Sequence, residues 1–120
     1  MVSGTGIDIL ATKRFSTLAD ESDFVLTILT KKEIARSSAF FHHDRYCSVL
    51  FTIKEAIFKA LRCGLCFGSL WHDIEIDDNL CPRISGSLLE LSAKQPNKLH
   101  VSVASAKGYA LSIALVEMEE

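Results

Sequence analysis

The chain has 120 residues, 48% of them hydrophobic, and a formal net charge of −2. That length suits one domain, 1–120, with an apolar fraction ample for a single core, which excludes a disordered chain. The near-neutral balance provides no basic field for a nucleic-acid or membrane-surface partner.

The N-terminal run Met1 to Asp8 lacks the basic and apolar regions of a signal peptide, and no window approaches the roughly 18 apolar residues of a membrane span. A cytoplasmic chain is expected, with some apolar surface available for burial in an oligomer. The four cysteines are Cys47, Cys63, Cys66 and Cys81, expected as free thiols in a reducing compartment. Cys63-Gly-Leu-Cys66 has redox or half-zinc-site spacing, but adding His72 and Cys81 yields no common finger pattern.

In chain order, residues 2–9 read as a short strand and 12–20 as a short helix. Residues 22–37 read as one or two short helices, with a capping box at Thr30-Lys-Lys-Glu33. Phe40 to Arg45 is a polar, aromatic connector with adjacent His42 and His43. Residues 45–62 carry the strongest helical signal, ended by a loop with Gly64, Gly68 and Ser69. Trp71 to Asp77 alternates as a strand, Asp78-Asn79 is turn chemistry, and Pro82 to Ile84 is a short strand at most. Residues 86–94 read as a helix. Leu99 to Ala104 and Tyr109 to Glu117 are strands joined by a turn near Lys107-Gly108. The sum is an α+β fold: an antiparallel sheet packed on a long central helix.

At about 100° per residue, Ser48, Thr52, Glu55, Lys59 and Arg62 fall in one stripe of the long helix. Read plainly, that stripe is a solvated face with an i,i+4 Glu55–Lys59 pair. Lys54 does not fit, because it lies on the apolar side and must snorkel or meet an anion. Lys54, Lys59 and Arg62 beside a carboxylate, ahead of a glycine-bearing loop, suggest a phosphate-binding corner.

Gly4-Thr-Gly6-Ile-Asp8-Ile-Leu resembles the first motif of the holo-acyl-carrier-protein synthases, the small 4′-phosphopantetheinyl transferases. Phe51-Thr-Ile-Lys54-Glu55-Ala56-Ile-Phe-Lys59-Ala60-Leu61 resembles their second signature, Lys-Glu-Ala-x-x-Lys-Ala. Trp71-His-Asp73-Ile-Glu75-Ile, Leu99-His100-Val-Ser102 and Tyr109-Ala110-Leu-Ser-Ile-Ala are similar to later strands of that family. The match runs nearly end to end, with the motifs in order.

The resemblance implies a reaction in which a carrier serine attacks the β-phosphate of coenzyme A and adenosine 3′,5′-bisphosphate leaves. It implies magnesium held by Asp8 and Glu55, which suits a hard cation completed by pyrophosphate oxygens and water. Lys59 matches the phosphate-contacting lysine, so Asp8, Glu55 and Lys59 are the expected catalytic group. Glu55 or a carboxylate-held water would take the serine proton. Coenzyme A contacts are expected at Lys54, Lys59, Arg62, Gly64, Ser102 and Ser105. Arg14 matches a basic position facing the acyl-carrier protein. A homotrimer with coenzyme A between neighbours is implied as well. Without the resemblance, Asp8 reads as a cap for the helix near Thr12 and Glu55–Lys59 as a surface pair.

The chain departs from the family at two nucleotide-gripping positions. Leu50 stands where an arginine is usual and Ser105 where a histidine is usual. The departures leave a divergent transferase as the main expectation. A catalytically weakened member, binding carrier protein or coenzyme A as a scaffold, is the alternative.

Overall fold

The structure is a computed structural model and describes residues 1–19, 23–40, 42–62, 70–92 and 97–118. In chain order the elements are β1 (Val2–Ala11), α1 (Thr12–Ala19), α2 (Phe24–Ile28), α3 (Lys31–Ser37) and α4 (His43–Ala60). A 3-10 turn (Trp71–Asp73) follows, then β2 (Ile74–Ile76), β3 (Pro82–Ile84), α5 (Gly86–Ser92), β4 (Asn97–Ala106) and β5 (Tyr109–Met118). The expected α+β arrangement is present. β1, β5 and β4 form an antiparallel sheet in that order, β2 and β3 form a separate ribbon, and α4 lies on the sheet.

Two boundaries differ from the sequence reading for local reasons. Trp71 does not start a strand. It turns its ring into the core, stacked on Phe51 at 5.6 Å and edge-on to Phe58 at 5.0 Å. The ribbon then keeps only three residue pairs, ending at Ile76↔Pro82, because proline has no N–H to extend a ladder. β4, expected from Leu99 to Ala104, spans Asn97–Ala106 because β5 offers a partner along its whole length. The glycine-bearing loop, with Gly64, Cys63 and Cys66, lies outside the described residues.

The polar stripe of α4 is solvated only toward its C-terminal end, at Lys59 and Arg62. Ser48 and Thr52 are fully buried, and Thr52 shares a 2.7 Å hydrogen bond with the Ser112 hydroxyl on β5. The opposite side of α4 is buried too, through Leu50, Ile53, Ile57 and Phe58. The helix is therefore sandwiched, which a single amphipathic stripe does not anticipate.

Close approach to the sheet depends on small residues. A Cβ on Gly4 would stand 2.0 Å from the Ala60 carbonyl oxygen, and one on Gly6 2.0 Å from that of Ala56. Side chains alternate along a strand, so Gly4, Gly6 and Asp8 share the face of β1 turned to α4. The two glycines let helix and strand nearly touch, and Asp8 is the first side chain in that row able to reach across.

Candidate functional site

Asp8 projects from β1 beside Ser112, its register partner on β5. Lys59, one turn after Glu55 on α4, crosses to the strand. Its ammonium donates to the Ile7 carbonyl at 2.9 Å and to Asp8 Oδ1 at 3.1 Å. Glu55 and Lys59 make no ion pair among the described residues, so the i,i+4 reading is replaced by a helix-to-strand bridge. Asp8 does not cap α1 either. The Thr12 N–H goes to the Gly108 carbonyl at 2.7 Å.

Asp8 and Glu55 face one open cleft of about 400 Å³, with Arg14 and Leu18 of α1 and Phe51 of α4 on its walls. Burial holds the Asp8 carboxyl above its ordinary range, opposed by the hydrogen bond and charge of Lys59. Burial raises Glu55 as well, the neighbouring Asp8 charge adds to the rise, and Lys59 opposes it. Two half-buried carboxylates repelling each other leave a site short of positive charge.

No group of three or more His, Cys, Asp or Glu side chains converges among the described residues. Magnesium does not require one, since it binds through one or two carboxylates plus substrate phosphates and water. The Asp8–Glu55 pair fits that donor set.

Lys54 must be corrected. Its side chain is fully buried, and its ammonium donates to Glu33 Oε1 at 2.7 Å, to the Ile28 carbonyl at 2.8 Å and to the Trp71 carbonyl at 3.3 Å. An ammonium has three donors, so none is left for a phosphate. The anion that an apolar-side lysine required is Glu33, the glutamate of the capping box. The box itself is present, with Thr30 Oγ1 accepting from the Glu33 N–H at 3.2 Å and Glu33 Oε1 from the Thr30 N–H at 2.8 Å.

The remaining expected contacts divide by location. Arg62 is exposed just past α4, with a left-handed backbone at φ 58°. Ser102 pairs with Ile113 on the outer face of the sheet, whereas Ser105 pairs with Ala110 on the face toward α4. The two serines therefore cannot line one pocket within a single chain. Leu50, at the position of the usual arginine, is fully buried in the core.

Ser105 borders a second, largely apolar cleft of about 510 Å³ that the sequence reading passed over. Phe40 and Tyr46 stack there at 4.4 Å, with planes 16° apart. Two aromatics bracketing the His42–Arg45 connector were the available signal.

A family model of the 4′-phosphopantetheinyl transferase superfamily matches residues 4–114. The chain belongs to this family. It is similar to the holo-[acyl-carrier-protein] synthase of Geobacter sulfurreducens, 30% identical over 124 residues and covering 98% of each chain. The synthase of Shewanella denitrificans is 32% identical over 123 residues, covering 97% of this transferase and 98% of that one. Among solved structures, the Bacillus anthracis synthase in complex with CoA (3′,5′-ADP) superposes with a TM-score of 0.73 at 25% identity, over 99% of both chains. The Chronobacterium ammoniagenes ACPS–CoA complex gives a higher TM-score, 0.82, at 15% identity and 98% coverage of both chains, and shows likeness of fold.

Proposed function

We propose that residues 1–120 act as one transferase domain that moves 4′-phosphopantetheine from coenzyme A to a serine of an apo acyl-carrier protein. The observation that carries this reading is the meeting of Asp8, Glu55 and Lys59 at one cleft, in a chain of this family. Asp8 and Glu55 would hold magnesium, which supplies Lewis-acid neutralisation of the pyrophosphate when bound. Lys59, exposed at its tip, contributes a positive charge to the same phosphates. Glu55, or a water held by the two carboxylates, would accept the serine proton. Arg14, exposed on the wall of the cleft, suits contact with an acidic carrier.

The homotrimer belongs to this proposal. Ile7 pairs with Ile113 and Ile9 with Leu111 on the outer face of the sheet. Ile7, Ile9 and Ile113 are 58%, 62% and 44% exposed, an apolar patch suited to burial against other copies. A cytoplasmic location is proposed in the same sense, and no described helix is long and apolar enough to cross a membrane.

The deciding experiment is mass spectrometry of apo acyl-carrier protein incubated with the chain, coenzyme A and magnesium. A mass gain of one phosphopantetheine on serine is expected. A carrier left unmodified while coenzyme A still binds would turn the reading to a binding protein.

A further inference from the structure

Helix α1 stands between two clefts. At about 100° per residue, Arg14 and Ser16 are about 200° apart around its axis, so they face opposite ways. Arg14 and Leu18 line the cleft that holds Asp8 and Glu55. Thr12 and Ser16 line a polar cleft of about 540 Å³ on the other side, together with His43 and Asp44 of α4. Phe15 falls between the two faces and is fully buried, 5.9 Å from the Phe24 ring and 6.1 Å from that of Phe51.

The helix has only eight residues, a length that is marginal without tertiary contacts. Phe15 anchors it in the core, but apolar contact is non-directional and does not fix the roll of the helix about its own axis. The Thr12 N–H donated to the Gly108 carbonyl at 2.7 Å pins one end. The roll is resisted by a directional bond. Ser16 Oγ donates to Asp44 Oδ2 at 2.9 Å, across from α1 to the first turn of α4. The same hydroxyl lies 3.2 Å from the Thr12 carbonyl oxygen, inside α1. A hydroxyl has one proton, and an ionised acceptor makes the stronger bond, so Asp44 takes it in preference to the carbonyl. The other oxygen of Asp44 is engaged too, with His43 Nε2 3.2 Å from Oδ1, and a carboxylate suits the first turn of a helix.

We propose that Asp44 is a positioning residue for carrier recognition: through Ser16 it sets the roll of α1 and so aims Arg14 across the carboxylate cleft at the acyl-carrier protein. This rests on the transferase reading above and on the carrier-facing role given there to Arg14. Loss of the Asp44 acceptor returns the Ser16 proton to the Thr12 carbonyl, a bond within α1 that no longer ties the helix to α4. Arg14, on the opposite face, then swings with the released helix. Neither Ser16 nor Asp44 borders the carboxylate cleft, so the tether acts on carrier docking and not on the groups proposed to hold the metal.

The test is steady-state kinetics of the full chain with magnesium, varying apo acyl-carrier protein and coenzyme A in turn. Asp44→Ala and Ser16→Ala are each expected to raise the KM for carrier roughly threefold to tenfold, the scale of one lost hydrogen bond, with smaller changes in kcat and in the KM for coenzyme A. Asp44→Asn keeps an acceptor oxygen without the charge and should fall between. The Asp44 side chain is nearly half exposed and asparagine is isosteric, so this variant keeps the fold. Combining Ser16→Ala with Asp44→Ala should be no worse than either alone, since both remove the same bond. In an Arg14→Ala background, Asp44→Ala should add no further rise, because no guanidinium is left to aim.

A carrier KM unchanged by Asp44→Ala overturns the assignment. So does an equal rise in the KM for coenzyme A, or a rise of the same size with and without Arg14. If wild type still modifies carrier in those cases, the transferase reading survives without the tether. A wild-type chain that modifies no carrier overturns both.

Discussion

Lys59 Nζ lies 3.1 Å from Asp8 Oδ1, a contact between the helix and the strand that together carry the proposed metal ligands. The same ammonium donates to the Ile7 carbonyl, so it is fixed against β1 by two bonds. Lys59 thereby supplies positive charge to a carboxylate pair that burial would otherwise drive toward protonation. Its side chain is nearly half exposed, and phosphate oxygens arriving from solvent can meet it without unpacking the core.

Lys59→Met removes the group that holds the Asp8 carboxyl down. The Asp8 pKa is expected to rise further above its ordinary value, read by NMR titration of the side-chain carboxyl carbon. Carrier modification should fall at least roughly a hundredfold, the scale of a lost transition-state charge contact. An unmoved Asp8 titration would remove the proposed coupling.

Asp8→Asn and Glu55→Gln each delete one of the two carboxylates offered to magnesium. Wild type should gain thermal stability as magnesium is added, since a ligand bound only to the folded state stabilises it. Both variants should lose that response and the transfer activity. Without metal, Glu55→Gln should melt above wild type near neutral pH, because burial and Asp8 disfavour the Glu55 charge. The sign follows from linkage. A carboxyl whose folded pKa is raised binds more protons folded than unfolded, so stability falls as pH rises between the two pKa values. The variant's advantage should therefore vanish once the pH drops below that window. A magnesium-dependent melting shift that persists in both variants would exclude the pair as ligands.

Arg14→Glu places a negative charge on the wall of the carboxylate cleft. The KM for acyl-carrier protein is expected to rise by roughly an order of magnitude at low salt, with a smaller change at high salt. The KM for coenzyme A should change less. Equal effects on both substrates would count against a carrier-facing role.

The sheet-on-helix fold was legible in the hydrophobic pattern of the strands and the long helix, and the meeting of Asp8 with Glu55 only through the family resemblance that two short motifs carried. The burial of Ser48 and Thr52 was not. A polar stripe reads as solvated until the sheet is known to offer Ser112, Gly4 and Gly6 against it. Lys54 was legible only as an anomaly. That its anion is Glu33, distant in sequence and already committed to a capping box, is tertiary information. The Ser105 cleft stayed hidden because β4 brings it to the start of α4 from the other end of the chain.

Gly6→Ala tests the contact that sets the site's width. The added Cβ would meet the Ala56 carbonyl oxygen at 2.0 Å and the Ala60 nitrogen at 2.8 Å, both helix backbone. Backbone cannot rotate away, so α4 must lift from β1 and carry Glu55 and Lys59 from Asp8. A destabilisation of about 1–3 kcal/mol or more is expected in urea unfolding, together with a weaker melting response to magnesium. A wild-type midpoint with a wild-type response would show that the strand and helix are not in that contact.

The buried Lys54–Glu33 pair separates structure from chemistry at the signature helix. Glu33 accepts from the Lys54 ammonium and the Ile76 N–H, each at 2.7 Å, and both ionic side chains are fully buried. Burial lowers the Lys54 pKa, and the Glu33 charge opposes that shift. Breaking such a pair from one side leaves an uncompensated charge and costs about 3–5 kcal/mol, a large share of a small domain's stability. Glu33→Gln strands the ammonium, whose folded pKa then lies further below its unfolded value. The unfolded state binds more protons, and the deficit shrinks as pH rises. Denaturant midpoints at neutral and alkaline pH read that slope. Folded Lys54→Met, selected at low temperature or with a stabilising osmolyte, should retain the wild-type KM for coenzyme A, since the ammonium has no donor left for phosphate. A Glu33→Gln deficit that does not shrink as pH rises, or a Lys54→Met KM raised in step with lost charge, would return Lys54 to the substrate.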